Sequence, residues 1–545
     1  MIESKEKIPL INCQKNFWAI IFLISIIICI SMSRDITRPF YGLHSWGEAH
    51  RAWDARVHIN YGLDYTKGLA VRVVGANMPE KPYRYLDHPQ LGGLLNVPVM
   101  YILGQDEWSL RVANIVLTVL TLLIFAKIVR HLTDDKTAIW ASLFFSVFPL
   151  FAYFGVNMWF YPIVIGALYN YLLLAGYLNK ESEKPIFNKI LLALCLFFAQ
   201  QISWEGFFFA LGIGLHYLSQ CAFRRRKPDW GLLSILFFAP VVSLMIATLI
   251  IIAGRGWDFG SIYQLFTWRA GSGEQTEHNW GLWFAKLWEF MRSNFTLPAI
   301  LLCAVYIIFG RLISIKKSDK PDVNPKWNGA FPQISLFLII PLLQIFILKG
   351  CLWAHQTWLT PFFMLIAIGA AGGVQLMGLI VDKIKLGAGY YAKGVLILIF
   401  LVVSIIGSNN YYSIRHFSET KVDLLKKLNS IIPANENLLS FEDFVVNQHK
   451  AKGAFYRPEV AWYLDRDVEI ARTLEEIESK AATGKYQVYL MPISDYNPQT
   501  TAYLNNLAKQ LTQKYKYEYI PAEPIRPLRA PMQPYMIFDL HTKKQ

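Results

Sequence analysis

Eleven long apolar runs punctuate the 545-residue chain, near 17–33, 108–129, 137–155, 160–178, 187–203, 205–221, 230–253, 294–314, 331–349, 357–381 and 393–409. A helix needs about 20 mostly apolar residues to cross about 30 Å of hydrocarbon, and in lipid every backbone polar group must be satisfied within the chain. Runs of this length and number predict an α-helical polytopic membrane protein with about eleven transmembrane helices, and they exclude a soluble fold. A composition of 54% hydrophobic and only 17% charged residues points the same way. Phe17 to Met32, flanked by Lys15, Arg34 and Asp35, reads as a retained first span, because no small-x-small cleavage site closes it. The run 91–104 carries Gly92, Gly93 and Pro98, falls short of a span, and reads as an interfacial or re-entrant helix.

The net charge of +14 is distributed by topology. Its basic residues sit in short connections, at Lys127 with Arg130, Arg224 to Lys227, Lys316 with Lys317 and Lys320, and Lys383 with Lys385. That spacing argues against a nucleic-acid face. Under the positive-inside rule it predicts a cytoplasmic N-terminus in the cell's inner (plasma) membrane. The loops 34–107 and 254–293 and everything after about residue 410 then lie outside. Cysteines at 13, 29, 195, 221, 303 and 351 show no disulfide framework and no zinc spacing.

Two domains are expected: a transmembrane catalytic domain over 1–410, and a soluble C-terminal α/β domain over 411–545. In the latter, Glu419 to Ile432, Leu474 to Ala482 and Gln499–Tyr515 read as helices, and Asn437 to Phe441, Tyr486 to Pro492 and Tyr535–Leu540 as strands. Alternating strands and helices predict a parallel or mixed sheet. No glycine-rich phosphate loop opens any of its helices.

The chemistry concentrates in the first long loop. From Ser45 it reads SWGEAHRAWDARVHINYG, where Glu48, Arg51, Ala55 and His58 recur at helical spacing. A second polar knot, YRYLDHP, runs from Tyr83 to Pro89. Glu48, Asp54, Asp87, His50, His58 and His88 are thereby gathered near one membrane surface. In the second loop, Trp257, Trp268, Trp280 and Trp283 suit an aromatic belt or stacking on a sugar ring.

The order Glu48, Ala55-Arg56, Asp87-His88-Pro89, Leu103-Gly104 and Glu107-Trp108 through Arg111 resembles the first loop of the membrane-embedded GT-C glycosyltransferases. Within that class it looks most like the protein O-mannosyltransferases and aminoarabinose transferases. His355, Trp358 and Pro361 resemble a later pattern of the same family. Two acids of the family pattern are replaced: the first-loop aspartate falls at Gly47 or His50, and the one after the third span falls near Tyr161.

The resemblance implies transfer of a sugar from a polyprenyl-phosphate-linked donor to a lipid, glycan or protein acceptor, most simply with inversion. Under it, a carboxylate acts as general base, with Glu48 first and Asp54 and Asp87 next. Arg56, His88, Arg111, His355, Arg255 and Arg269 are the cationic candidates for the donor phosphate. His50, Glu205 and Tyr161 are candidates for the acceptor or sugar. No metal and no cofactor beyond the lipid-linked co-substrate is expected, and the bilayer is the constant partner. Each position also has a structural reading: Arg111 as an interfacial anchor, His355 as a satisfied interfacial histidine, Glu205 as a turn residue. Rival functions are a transporter or flippase of a lipid-linked sugar, which would be expected to show repeated halves and interrupted helices, and a non-catalytic scaffold for envelope assembly.

Overall fold

The computed structural model describes the chain apart from residues 1–12, 35, 41–44, 72–81, 83, 86–88, 90, 156–160, 179–181, 225–226, 272–278, 317–325, 386, 417–419, 443–444, 447–454, 457, 495–496, 522–533 and 544–545. Two compact units result. One comprises Met1–Ile36, Asp87–Gly92 and Trp108–Tyr411; the other comprises Thr37–Leu86, Gly93–Glu107 and Tyr412–Gln545.

In the first unit each apolar run falls on helix. Among the described residues seven helices are long and apolar enough to span: Asn16–Ser33, Glu107–Leu132, Pro185–Ile202, Glu205–Phe223, Trp230–Arg255, Phe362–Ile384 and Ala388–Ser413. The other runs are shorter or broken. The run at 137–155, expected as one helix, divides into Asp135–Val147 and Pro149–Phe154. Pro149 has no N–H to continue the first helix but suits the first turn of the next. Leu297–Lys316 is preceded by a second helix, Trp280–Phe295, from which it turns by 102°. The turn falls at Thr296, whose φ of 68° is left-handed, and Asn294 braces it. Its Nδ2 donates to the Gln356 carbonyl at 3.0 Å and its Oδ1 accepts from Tyr411 Oη at 2.7 Å.

Small residues bring two of the apolar helices together. A Cβ at Gly369 would overlap the Cys303 side chain, and one at Gly373 would overlap the Leu302 carbonyl. Leu297–Lys316 and Phe362–Ile384 therefore meet at backbone distance. In a membrane, where apolar surface gains nothing by leaving lipid, close backbone packing is what holds such a pair.

In the second unit a mixed five-stranded sheet runs in the order Val468–Ile470, Leu438–Ser440, Val488–Pro492, Tyr535–Lys543, Tyr515–Ile520. The first three strands are parallel and the last two pair antiparallel. Leu439, Tyr489 and Phe538 lie on its core side with Leu504, Leu507 and Leu511 of the helix Pro498–Lys514. The expected helices appear at Thr420–Ile431, Leu474–Ala482 and Pro498–Lys514. Thr473 and Glu476 close a capping box on the second of these. Arg466 is buried against the end of the first, donating to the carbonyls of Ile432, Pro433 and Glu436 and to Asn429 Oδ1. That arrangement satisfies carbonyls a helix C-terminus leaves open.

The first-loop residues of this unit form the helix Ser45–Thr66. Against it pack the short helix Asn96–Leu103 and, from the C-terminal region, the helix Pro458–Tyr463.

Candidate functional site

The helix Ser45–Thr66 carries more buried charge than a structural helix needs. Glu48 and Asp54 are 3% and 4% exposed, and His50 and His58 are buried beside them. Removing ionised groups from water costs several kcal/mol each unless they are paired, so such clusters are candidates for sites of chemistry. The pairing is visible. His50 Nε2 lies 3.0 Å from Asp54 Oδ2, one turn away, and the His50 ring stacks on Trp46 at 5.7 Å between centroids. Burial pulls the Arg51 guanidinium down to about 10 against the attraction of Glu48 and Asp54, which leaves it cationic at neutral pH. Glu48 stands in the first turn, where the helix dipole favours a negative charge. Two carboxylates, one guanidinium and one imidazole thus share less than two turns of helix.

The surroundings fix that helix. At its far end Gly62, with φ 72°, interrupts the helical backbone, and Thr66 donates to the Gly62 carbonyl at 3.1 Å. Thr66 Oγ1 also lies 2.9 Å from His58 Nδ1. Arg84 reaches the Tyr65 and Thr66 carbonyls at 2.7 and 3.2 Å. Gly93 passes over Asp54, where a Cβ would sit 3.5 Å from the Asp54 Cβ.

Arg56 stands on the same helix, two residues beyond Asp54. Its guanidinium lies over the Trp462 ring, its Nη1 donates to the Trp462 carbonyl at 2.9 Å, and Glu107 and Asp465 add favourable charge. Next to it, Tyr463 Oη accepts from the Phe40 N–H at 2.5 Å and donates to Glu107 Oε1 at 2.8 Å. The Trp462 and Tyr463 contacts were not foreseen from sequence, and nothing local in WYLDRD marks them.

In the other unit, Tyr161 Oη donates to Glu205 Oε2 at 3.3 Å, both groups being buried, with Thr360 in reach of the same hydroxyl. Two of the three acceptor or sugar candidates are thereby brought together. Arg111 is buried and holds the Ile36 carbonyl at 2.8 Å. Arg255 pairs with Asp258. The Arg269 carbonyl accepts from the Gly350 N–H at 2.8 Å. His355 stands partly exposed between the short helices Cys351–Ala354 and Gln356–Leu359. Asp87 and His88 lie outside the described residues. Among the described residues no three His, Cys, Asp or Glu side chains gather as metal ligands.

Apolar spans, a first-loop helix rich in buried acids, and a small mixed sheet near the C-terminus together define a GT-C-fold membrane protein. The fold is similar to that of ArnT from Cupriavidus metallidurans bound to undecaprenyl phosphate, with a TM-score of 0.58 at 13% identity over 96% of this chain and 98% of that one. It is also similar to the oligosaccharyltransferase AglB from Archaeoglobus fulgidus in complex with an inhibitory peptide and a dolichol-phosphate (TM-score 0.53, 12% identity, 93% of this chain and 73% of that one). A third likeness is to the mycobacterial arabinofuranosyltransferase AftD (TM-score 0.53, 10% identity, 97% of this chain but 40% of that one). Residues 87–244 match the profile of the family described as dolichyl-phosphate-mannose-protein mannosyltransferase. No curated protein matches by sequence. The chain accordingly has the GT-C fold, and its residues 87–244 are similar to the mannosyltransferase family.

Proposed function

We propose that this protein transfers a sugar from a polyprenyl-phosphate-linked donor to a lipid, glycan or protein acceptor on the non-cytoplasmic face of the plasma membrane. One observation carries the reading: the first-loop helix holds Glu48 and Asp54 buried beside His50 and Arg51. Two similar folds were solved with undecaprenyl phosphate or dolichol-phosphate bound, which supports a donor of that class. The lipid tail slides in sideways between spans and leaves its phosphate and sugar at the surface.

Glu48 takes the proton from the acceptor hydroxyl as its oxygen attacks the anomeric carbon. The bond from that carbon to the phosphate oxygen breaks, and the polyprenyl phosphate leaves with the electron pair. A single displacement of this kind inverts the anomeric centre and requires no metal. Asp54, held by His50, is the second choice of base, and Asp87 the third. The candidates for cations that stabilise the leaving phosphate are Arg56, His88, Arg111, His355, Arg255 and Arg269. Glu205 with Tyr161 offers hydrogen bonds to a sugar or acceptor hydroxyl.

Mass analysis of lipid-linked sugars and envelope glycans from a deletion strain identifies donor and acceptor. With these in hand, Glu48→Gln lowers turnover by about 10²–10⁴-fold, the usual worth of a general base, with donor binding unchanged. Turnover near that of the unaltered protein would remove Glu48 from this role. An impermeant label should reach a tag at the C-terminus in intact cells; protection of the tag would overturn the orientation.

A further inference from the structure

The segment between two spans, Trp230–Arg255 and Leu297–Lys316, is built from two further helices, Phe259–Arg269 and Trp280–Phe295. The second turns by 102° into Leu297–Lys316, so the two run nearly perpendicular to one another. Its burial is one-sided. Trp283, Phe290 and Asn294 face the protein, whereas Trp280, Phe284 and Trp288, at i, i+4 and i+8, are all exposed. On the first helix Phe259, Tyr263 and Phe266 are exposed at i, i+4 and i+7, with Tyr263 69% open, and Trp268 is exposed too. Aromatic stripes at helical spacing that cover no core are rare on a surface that meets only water.

The two helices are tied to one point. Gly350 donates its N–H to the Arg269 carbonyl at 2.8 Å, and Trp283 donates its Nε1 to the Lys349 carbonyl at 3.0 Å. The Lys349 ammonium stands 5.2 Å from the centre of the Trp280 ring. Arg292 is exposed near the other end of the second helix. Cations at the edge of an exposed aromatic stripe match the layered chemistry of a lipid leaflet, with phosphate above and acyl chain below.

We propose that Phe259–Arg269 and Trp280–Phe295 form a membrane-surface platform lying in the plane of the headgroup–acyl boundary. The stripes Phe259, Tyr263, Phe266 and Trp280, Phe284, Trp288 are inserted, and Lys349 and Arg292 engage phospholipid phosphates. Trp283, grouped with the belt from sequence, is instead the inward anchor of the platform.

The test uses the full chain in nanodiscs of phosphatidylethanolamine and phosphatidylglycerol doped with a phospholipid bearing a photoactivatable group near the glycerol. Lipid adducts are expected on peptides covering 259–268 and 280–288. Adducts confined to the spans would overturn the proposal, as would crosslinks joining two copies through the stripes. Spin labels at positions 284 and 288 provide a second measurement. They should be several-fold less accessible to an aqueous nickel chelate than a label at 289, and equal accessibility would count against insertion.

Discussion

The Arg56 guanidinium sits 3.4 Å from the centre of the Trp462 ring and donates to the same residue's carbonyl. A cation–π contact is worth about 0.5–2 kcal/mol, and the hydrogen bond from a charged donor adds about 1.5–3 kcal/mol. Trp462→Ala should therefore raise amide exchange in the full-length protein across both Pro458–Tyr463 and Ser45–Thr66. In a double-mutant cycle with Arg56→Ala, a coupling of about 0.5–2 kcal/mol is expected. Additive effects would show that the two residues stabilise the unit separately.

Tyr161 and Glu205 form a buried hydrogen bond between two helices. Glu205→Gln keeps the shape and an acceptor for the Tyr161 hydroxyl but replaces the carboxyl group by an amide. Because a site built to bond a hydroxyl discriminates strongly against losing the bond, Glu205→Gln should raise the KM for one substrate with little change in kcat. Tyr161→Phe should have the smaller effect. Unchanged kinetics with a lowered melting temperature would assign the pair a structural role.

Burial holds the His58 imidazole below its ordinary value of about 6.5, with Asp54 pulling weakly the other way. Above that pH the group is neutral in folded and unfolded chains alike and contributes no slope. As pH falls below it, the unfolded chain takes up the proton first, and stability is lost down to the lower folded value. Protection of Ser45–Thr66 against hydrogen exchange should thus weaken as pH falls below about 6.5. In His58→Gln the decline attributable to this group should vanish; an identical pH profile would place its origin elsewhere.

Gly373 lies against the Leu302 carbonyl, backbone to backbone. Gly373→Ala forces the two spans apart, at a cost of about 1–3 kcal/mol, and should lower the melting temperature in detergent. Gly394, where an added Cβ meets nothing within 4 Å, is the control: Gly394→Ala should melt no lower than the unaltered chain.

Much of the fold was legible because it depends on local pattern. Apolar runs announced the helices, and the period of Glu48, Arg51, Ala55 and His58 announced the helix on which they stand. Mid-run interruptions were harder to read. Pro149 was visible as a residue, but the turn at Thr296 comes from a left-handed backbone that no side chain advertises. In the C-terminal region Val468–Ile470 escaped because three residues beside Asp465, Arg466 and Asp467 look like a charged turn. Tyr515–Ile520 escaped because its first residue was absorbed into the helix before it. The carboxylates were readable as candidates, and so were Glu205 and Tyr161. Their bond, like that of Arg56 to Trp462, joins residues far apart in the chain and has no local signature.

The 406-residue separation of Arg56 and Trp462 also sets an order of events during synthesis. Elongation proceeds at about 5–20 residues per second, so the segment bearing Glu48 is made tens of seconds before the helix that clasps it. Until Pro458–Tyr463 emerges, Phe40 and Arg56 lack the partners they have in the finished protein. A chain that stalls or is truncated before that helix would leave the acid-bearing segment without its clasp, so assembly of this unit is completed from the C-terminal end.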